Sequence, residues 1–195
     1  MALGLARDVV ELAMHDPSWK GAAAEAVARL WRVFGSAAKD IQHVGSTAVE
    51  NIMAKPIVDI AVAVDSFAEV EALEPALEAE GFLRRDWETG EQMLFAAGDY
   101  SKPGGVVTHF VHVVETGGAA WRDYVNFRDY LNANPAVGRD YEKLKTRLAR
   151  ENPADKGREK YLAGKHRFIA QALEDALAWR AGSLAPKRAG AQGEG

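Results

Sequence analysis

The chain has 195 residues, 48% of them hydrophobic and 27% charged, and it contains no cysteine. This length suits one domain with a substantial core. Without cysteine, disulfides, thiolate nucleophiles and cysteine-ligated metal clusters are excluded. No apolar run approaches the roughly 18 residues that span a bilayer, and the acidic start of the chain is unlike a signal peptide. The net charge of −4 disfavours duplex DNA as a partner. We therefore expect a cytoplasmic globular protein that binds neither DNA nor membranes.

The hydrophobic pattern predicts one domain over residues 1–182, in which a sheet region precedes a helical half. Apolar residues at helical spacing predict a first helix over 19–34. The sheet core, about 36–116, is expected to contain a crossover helix over 66–80 and strands over 41–44, 57–64, 82–87, 92–97 and 106–115. The helical half, about 119–181, is expected to contain helices over 119–133, 136–151 and 157–181. The tail, 183–195, has little to bury and is expected to be disordered.

The segment Gly45-Ser46-Thr47 follows a predicted strand and is suited to bind phosphate. Glycine lets the backbone approach a ligand closely, and hydroxyl and N–H groups at a helix start favour anions. Asp59 is the single charge in the apolar strand 57–64, where a carboxylate can hold the magnesium that accompanies a triphosphate. Separately, these features describe an ordinary helix cap and a satisfied buried acid. Their spacing together predicts a phosphate or metal site.

Four segments resemble the GrpB family: HVGSTAV at 43–49, AKPIVDI at 54–60, THFVHVVE at 108–115 and FRDYL at 127–131. A Gly-Ser pair followed by an acid on the next strand also resembles the nucleotidyltransferase superfamily typified by polymerase β. The resemblance to GrpB extends from about His15 to about Phe168. It implies an α/β nucleotidyltransferase-like fold, with a mixed β-sheet flanked by helices and a helical C-terminal half.

The resemblance further implies a metal-dependent transfer of a nucleotidyl group from a nucleoside triphosphate to a small acceptor. Mg²⁺ or Mn²⁺ would be the cofactor, held by Asp59, while His112 completes the metal shell or takes the proton of the acceptor. Residues expected to hold the triphosphate are Gly45, Ser46, Thr47 and Lys55. Further nucleotide-binding candidates in the helical half are Arg128, Lys143, Tyr161 and Lys165. For Lys55 alone, solvation at the surface is an equally good interpretation.

Two histidines on the predicted strand 106–115 are candidate metal ligands. His109 and His112 lie three residues apart, so a regular pleat directs them to opposite faces, and they can share one ion only if a bulge intervenes. We favour His112; the alternative is a buried, hydrogen-bonded histidine. His43 is expected to brace the glycine loop. An imidazole beside a carboxylate suits manganese or zinc as well as magnesium.

The chain departs from the superfamily at the second acid. Strand alternation places that acid at position 61, which is Ala61 here. The nearest replacements in sequence are Asp86, Glu88 and Glu91. Ala61 leaves two alternatives open: a catalytically degenerate protein that binds a nucleotide or phosphorylated metabolite, and a metal-dependent hydrolase that uses the same Asp and His. In addition, Glu50-Asn51 stands where the family tends to have Pro-Gly.

Charge is distributed unevenly along the chain. Residues 1–138 contain nine more acids than bases, whereas residues 139–195 contain five more bases than acids. The basic third can be a solvated helix surface with ion pairs between successive turns, or a wall that faces phosphate. Tyr130 and Tyr141 can stack a base, although tyrosines in helices are more often part of a core.

Overall fold

A six-stranded mixed sheet forms the centre of the computed structural model, which describes residues 3–85, 91–99, 105–154, 156 and 159–182. Its strands are β1 (Leu5–Ala6), β2 (Ala38–Val44), β3 (Val58–Val64), β4 (Leu83–Arg85), β5 (Gln92–Gly98) and β6 (Val106–Glu115). The order across the sheet is β2-β3-β6-β5-β4, and β1 pairs with the start of β6. The central pair, β3 and β6, is parallel, and its neighbours are antiparallel.

Five α-helices flank this sheet: α1 (Ser18–Phe34), α2 (Phe67–Ala79), α3 (Ala119–Ala133), α4 (Pro135–Glu151) and α5 (Glu159–Arg180). Their bounds lie within two residues of the predicted ones. The predicted turn at 88–90 and the predicted disordered tail at 183–195 lie outside the described residues. Within the described part of the chain, no helix is both long and apolar enough to cross a membrane.

The first face of the sheet packs against α1 and α2. Side chains of a strand alternate between faces, and β3 sends Val58, Ile60 and Val62 into a core shared with Trp19 and Leu30 of α1. All five are at most 1% exposed. The alternate residues of β3, beginning with Asp59, therefore face the other side of the sheet.

The second face is covered by the helical half. Phe127 and Tyr130 of α3, Tyr141 of α4 and Ala172 of α5 form one apolar cluster with Val49, which follows the glycine loop. Tyr130 and Tyr141 are fully buried, so they belong to the core. The helices are thereby fixed against the loop that begins at Gly45.

An N-terminal segment, which we define as residues 3–13, connects the two halves. The backbone N–H of Gly4 donates to the carbonyl of Pro56, and that of Val10 donates to the carbonyl of Pro153, just after α4. Ala13 pairs with Ala54 in a short antiparallel bridge. The sequence analysis did not find β1, because two residues show no periodicity.

Candidate functional site

A cleft of about 360 Å³ opens on the helical side of the sheet at Asp59. Residues from the glycine loop, both central strands and α5 line it, so it joins parts of the chain that are far apart in sequence. The predicted site residues on its walls are Ser46, Lys55, Asp59, His112, Tyr161 and Lys165. We call it the Asp59 cleft.

Gly45 lies directly against Asp59. Val44, the last residue of β2, pairs with Asp59 across the sheet, so the chain turns beside that carboxylate. Gly45 has φ of 70°, and a Cβ atom placed on it would lie 2.5 Å from Oδ2 of Asp59. Such a contact is too short, and the left-handed backbone also favours glycine. Glycine is therefore required here by close approach to the acid.

His112 faces the same cleft through the register of the parallel strands. Asp59 pairs with Phe110, and Ala61 pairs with His112, which places these residues on one face. The Nε2 atom of His112 lies 3.4 Å from Oδ1 of Asp59. Ala61, at the second acid position, is completely buried and brings no charge.

Behind His112 lies a short polar chain. Its Nδ1 atom is 3.0 Å from the hydroxyl of Tyr124 on α3, and that hydroxyl donates to Oε1 of Gln92 at 2.9 Å. Burial raises the pKa of Tyr124, and the negative charge of Asp59 raises it further. Tyr124 therefore keeps its proton at any physiological pH. No spacing in the sequence relates these three residues, so the sequence analysis missed Tyr124 and Gln92.

His109 lies on the opposite face, under α1. It pairs with Val58, a residue of the first core, and its Nδ1 atom is hydrogen-bonded to Thr108. Burial lowers the pKa of His109, so the ring is neutral at pH 7. The strand pleat therefore separates the two histidines, and the structure does not bring His109 to the metal position that we considered for it.

Lys145 of α4 is a buried amine close to Lys55 and Lys165 that was not among the predicted site residues. Its side chain is buried, with Nζ donating to the carbonyl of Met53 at 2.5 Å and lying 4.6 Å from the centre of the Tyr141 ring. Burial lowers the pKa of Lys145 to about 7, and the charges of Lys165 and Lys55 contribute to the shift. The basic third is thus a solvated surface in part only, because Lys145 points inward.

Lys55 and Lys165 both contact the ring of Tyr161. Their Nζ atoms lie 5.2 and 4.8 Å from the ring centre, a distance at which a cation is attracted to an aromatic face. Burial lowers the pKa of Lys165 to about 8, while the carboxylate of Asp59 opposes the shift. Together with Lys145 they form what we call the lysine cluster, a concentration of positive charge that an anion would relieve.

The glycine loop is braced on its other side. Thr47 is buried and hydrogen-bonded to Nε2 of His43 at 2.9 Å, the role predicted for that histidine. Burial lowers the pKa of His43 to about 4, so the ring is a neutral partner. Ser46 forms a hydrogen bond with the phenol of Tyr141, which opposes the burial-driven rise in the pKa of that tyrosine. The loop is therefore held by hydroxyl contacts to both layers.

Two predicted nucleotide-binding residues lie away from the Asp59 cleft. Arg128 donates to Oε1 of Gln42 and to the carbonyl of His43, and it lines a separate cleft of about 690 Å³. Lys143 is exposed and paired with Asp140 at 2.9 Å. Arg128 therefore contacts β2. Lys143 lies two residues before Lys145 on α4 and points into solvent, whereas Lys145 is buried.

The metal-binding potential of the site rests on two side chains. Among the described residues, no group of three or more histidine, aspartate or glutamate side chains can hold a metal ion. Of the replacement acids, Asp86 and Glu88 lie outside the described residues, and Glu91 is exposed at the start of β5. Asp59 and His112 fit an ion that takes its other ligands from phosphate and water, as magnesium does in many nucleotide sites.

Comparison with known proteins identifies the family. The family model described as GrpB protein matches residues 9–175. The chain belongs to the GrpB family. The glutamate-rich protein GrpB of Alkalihalophilus pseudofirmus is 37% identical over 176 residues, which are 89% of this chain and 99% of that protein.

Solved structures agree with the fold. The crystal structure of conserved protein GrpB from Enterococcus faecalis has a TM-score of 0.78 at 27% identity, over 87% of this chain and 99% of that one. A structure of the Cid1 poly(U) polymerase with MgGTP bound has a TM-score of 0.50 at 16% identity, over 71% of this chain and 44% of that one. The GrpB chain therefore has a nucleotidyltransferase-like fold, as the sequence predicted.

Proposed function

We propose that this GrpB chain binds a nucleoside triphosphate in the Asp59 cleft and transfers its nucleotidyl group to a small acceptor. The observation that carries the proposal is the lysine cluster, three amines gathered beside a glycine loop and a strand carboxylate. The fold, which is shared with a polymerase solved with MgGTP, supports the same interpretation. We place this activity in the cytoplasm, in keeping with a chain that has no cysteine.

The phosphates are assigned to the lysine cluster. Burial lowers the pKa of both Lys145 and Lys165, and the charge of Lys165 adds to the shift at Lys145, so each amine gains by approaching a negative group. Ser46 lines the same cleft, and Gly45 brings the start of the loop directly against Asp59. The walls of the cleft thus combine these amines with two acids, Asp59 and Asp8.

The reacting atoms are assigned to the sheet side of the cleft. A Mg²⁺ or Mn²⁺ ion held by Asp59 and His112 would supply charge neutralisation for the transferred group. An oxygen of the acceptor bonds to the α-phosphorus as the bond from that phosphorus to pyrophosphate breaks. The proton of the acceptor passes to the carboxylate oxygen of Asp59 that does not hold the ion, or to Nε2 of His112 when Asp59 alone holds the ion. The lysine cluster neutralises the departing pyrophosphate.

A second candidate, binding without transfer, is favoured by Ala61. Nucleotidyl transfer on this fold uses more than one acid, and the described residues bring a single carboxylate to β3 at the cleft. A third candidate, metal-dependent hydrolysis, would use the same Asp59 and His112. Incubation with labelled nucleoside triphosphates, Mg²⁺ or Mn²⁺ and a mixture of small-molecule acceptors distinguishes the three. We expect release of pyrophosphate together with nucleotide label on an acceptor; release of inorganic phosphate, or of nucleoside monophosphate without a labelled acceptor, indicates hydrolysis, and release of none of these indicates binding alone.

Binding itself is tested with a matched pair of lysine variants. We expect a triphosphate at 100 times its dissociation constant to stabilise the protein by about 2.7 kcal/mol. Lys165→Met should abolish most of this stabilisation, because Lys165 lies in the cleft. Lys143→Met should leave it intact, because Lys143 is exposed and paired with Asp140. Equal responses of the two variants in a thermal shift titration would contradict the proposed phosphate site.

A further inference from the structure

The hydrogen-bond chain behind His112 determines where its proton lies. The hydroxyl of Tyr124 contacts both Nδ1 of His112, at 3.0 Å, and Oε1 of Gln92, at 2.9 Å. A phenol has a single proton to donate, and a carbonyl oxygen of glutamine can only accept. Since Tyr124 donates to Gln92, its oxygen accepts from His112. With the amide of Gln92 in this orientation, a neutral His112 therefore carries its proton on Nδ1.

With the proton on Nδ1, the unprotonated Nε2 of His112 faces the carboxylate of Asp59. A neutral imidazole protonated on Nδ1 has a lone pair on Nε2, and this atom lies 3.4 Å from Oδ1 of Asp59. Two acceptors at that distance repel each other unless a cation lies between them. A direct charge-assisted hydrogen bond would be shorter, about 2.7–2.9 Å. Two neighbouring ligands about 2.1 Å from one ion are separated by about 3.0 Å on an octahedral ion and about 3.4 Å on a tetrahedral one, so an octahedral ion requires Nε2 and Oδ1 to approach each other by a few tenths of an ångström.

We infer that Gln92 and Tyr124 are positioning residues that keep the proton of His112 on Nδ1, so that Nε2 and Asp59 together form a site that prefers Mn²⁺ to Mg²⁺. The inference rests on the proposed function for the identity of the cleft. Imidazole nitrogen is a better ligand for manganese than for magnesium, which favours oxygen alone. In histidine metal sites, the ring nitrogen that does not bind the metal commonly forms a hydrogen bond that fixes the ring and its tautomer.

The tautomer is measured directly by ¹⁵N NMR of histidine-labelled protein at pH 8, without metal or nucleotide. We expect His112, assigned by its loss in His112→Ala, to show a protonated Nδ1 and an unprotonated Nε2. Tyr124→Phe should move the proton to Nε2, toward Asp59. Gln92→Glu is the matched control, because a carboxylate also only accepts and should leave the proton on Nδ1. A wild-type His112 that is protonated on Nε2 would overturn the inference.

Metal preference is measured by electron paramagnetic resonance of Mn²⁺ added without nucleotide, with Mg²⁺ as the competing ion. We expect the wild type to bind Mn²⁺ more tightly than Mg²⁺. Tyr124→Phe should weaken Mn²⁺ binding by about 10- to 100-fold, the usual effect of losing such a partner, and should change Mg²⁺ binding little. Equal affinity for the two ions in the wild type, or an unchanged Mn²⁺ affinity in Tyr124→Phe, would overturn the inference.

The inference and the proposed function fail separately. If a nucleoside triphosphate stabilises the protein while wild-type His112 carries its proton on Nε2, the triphosphate proposal stands and the inference is wrong. If His112 has the expected tautomer and prefers Mn²⁺ while triphosphates have no effect on melting, the inference stands and the proposed substrate is wrong.

Discussion

Gly45 and Asp59 define the smallest unit of this site. The glycine is required by the carboxylate beside it and by its positive φ, so the Gly-Ser motif and the strand acid are one structural feature. Asn51 illustrates the same constraint nearby. It has φ of 60° and stands where the GrpB family tends to have glycine, and asparagine tolerates the left-handed conformation better than most residues. The departure from Pro-Gly therefore keeps the turn.

Asp59→Asn is expected to affect ligand binding in opposite directions with and without metal. The amide keeps the shape against Gly45 and removes the negative charge. Binding of triphosphate with Mn²⁺ should weaken, since a metal ligand is lost. Binding of triphosphate in EDTA should hold or strengthen, because the lysine cluster then acts without an opposing acid. The stability of the free protein should change little, since this acid is partly exposed, 29% by side chain.

Calorimetry of triphosphate binding with Mn²⁺ and with EDTA tests this pair of expectations. Equal weakening under both conditions would show that Asp59 acts through the fold instead of through a metal.

Lys145 is expected to make triphosphate binding dependent on pH. Burial and the neighbouring charges of Lys165 and Lys55 lower the pKa of Lys145 to about 7, whereas Glu142 opposes the shift. Above pH 7 the free protein therefore holds this amine mostly neutral. A bound polyphosphate favours the charged form, so binding takes up a proton. Affinity should consequently fall as pH rises from 7.5 to 9.

The measurement is isothermal titration calorimetry at pH 8 in two buffers that differ in ionisation enthalpy. Lys145→Met should take up fewer protons than the wild type and should show a shallower pH dependence; the remainder is assigned to Lys165, whose pKa is about 8. Lys143→Met serves as the control. An unchanged proton uptake in Lys145→Met would contradict the assignment.

At the scale of elements, the two faces of strand β6 face different parts of the molecule. Its even-numbered residues, Phe110 and His112, face the cleft through their partners on β3, and its odd-numbered residues Val111 and Val113 fill the first core. This alternation is readable from sequence because it needs the strand period alone. The layer that receives each face is not readable in that way, since the strand period does not tell on which side of the sheet α1 and α3 pack.

Because His109 and His112 lie on opposite faces of β6, His109→Ala and His112→Ala are expected to have different effects. His109 is packed under α1, so its removal should lower the free energy of unfolding by about 1–3 kcal/mol and leave Mn²⁺ binding unchanged. His112 lies at the cleft, so its removal should weaken Mn²⁺ binding and cost less stability. Chemical denaturation and Mn²⁺ titration of both variants test this; equal loss of metal binding in both would show that both rings reach one site.

At the scale of the whole molecule, the sequence predicted the bounds of the helices better than the contacts between residues of different elements. Helices α1 to α5 were predicted closely because each has a long apolar period. Gly45 and Asp59 were found because their motif is local. Lys145 and Tyr124 were not, since each reaches the site through contacts with residues some 90 and 30 positions away, namely Met53 and Gln92. Arg128, a predicted nucleotide-binding residue, contacts β2 instead of lining the Asp59 cleft, because its helix directs it there.

The N-terminal segment has a consequence for synthesis on the ribosome. Its ends find early partners at Pro56 and Ala54, but its middle pairs with Val106 and Val107 on β6 and with Pro153 after α4, so these last contacts wait until nearly the entire described chain has emerged. At a translation rate of about 5–20 residues per second, that delay is on the order of ten seconds. Docking of residues 5–10 thus becomes a late event of folding, and a nascent chain stalled before residue 153 would lack the contact between the N-terminal segment and the end of α4.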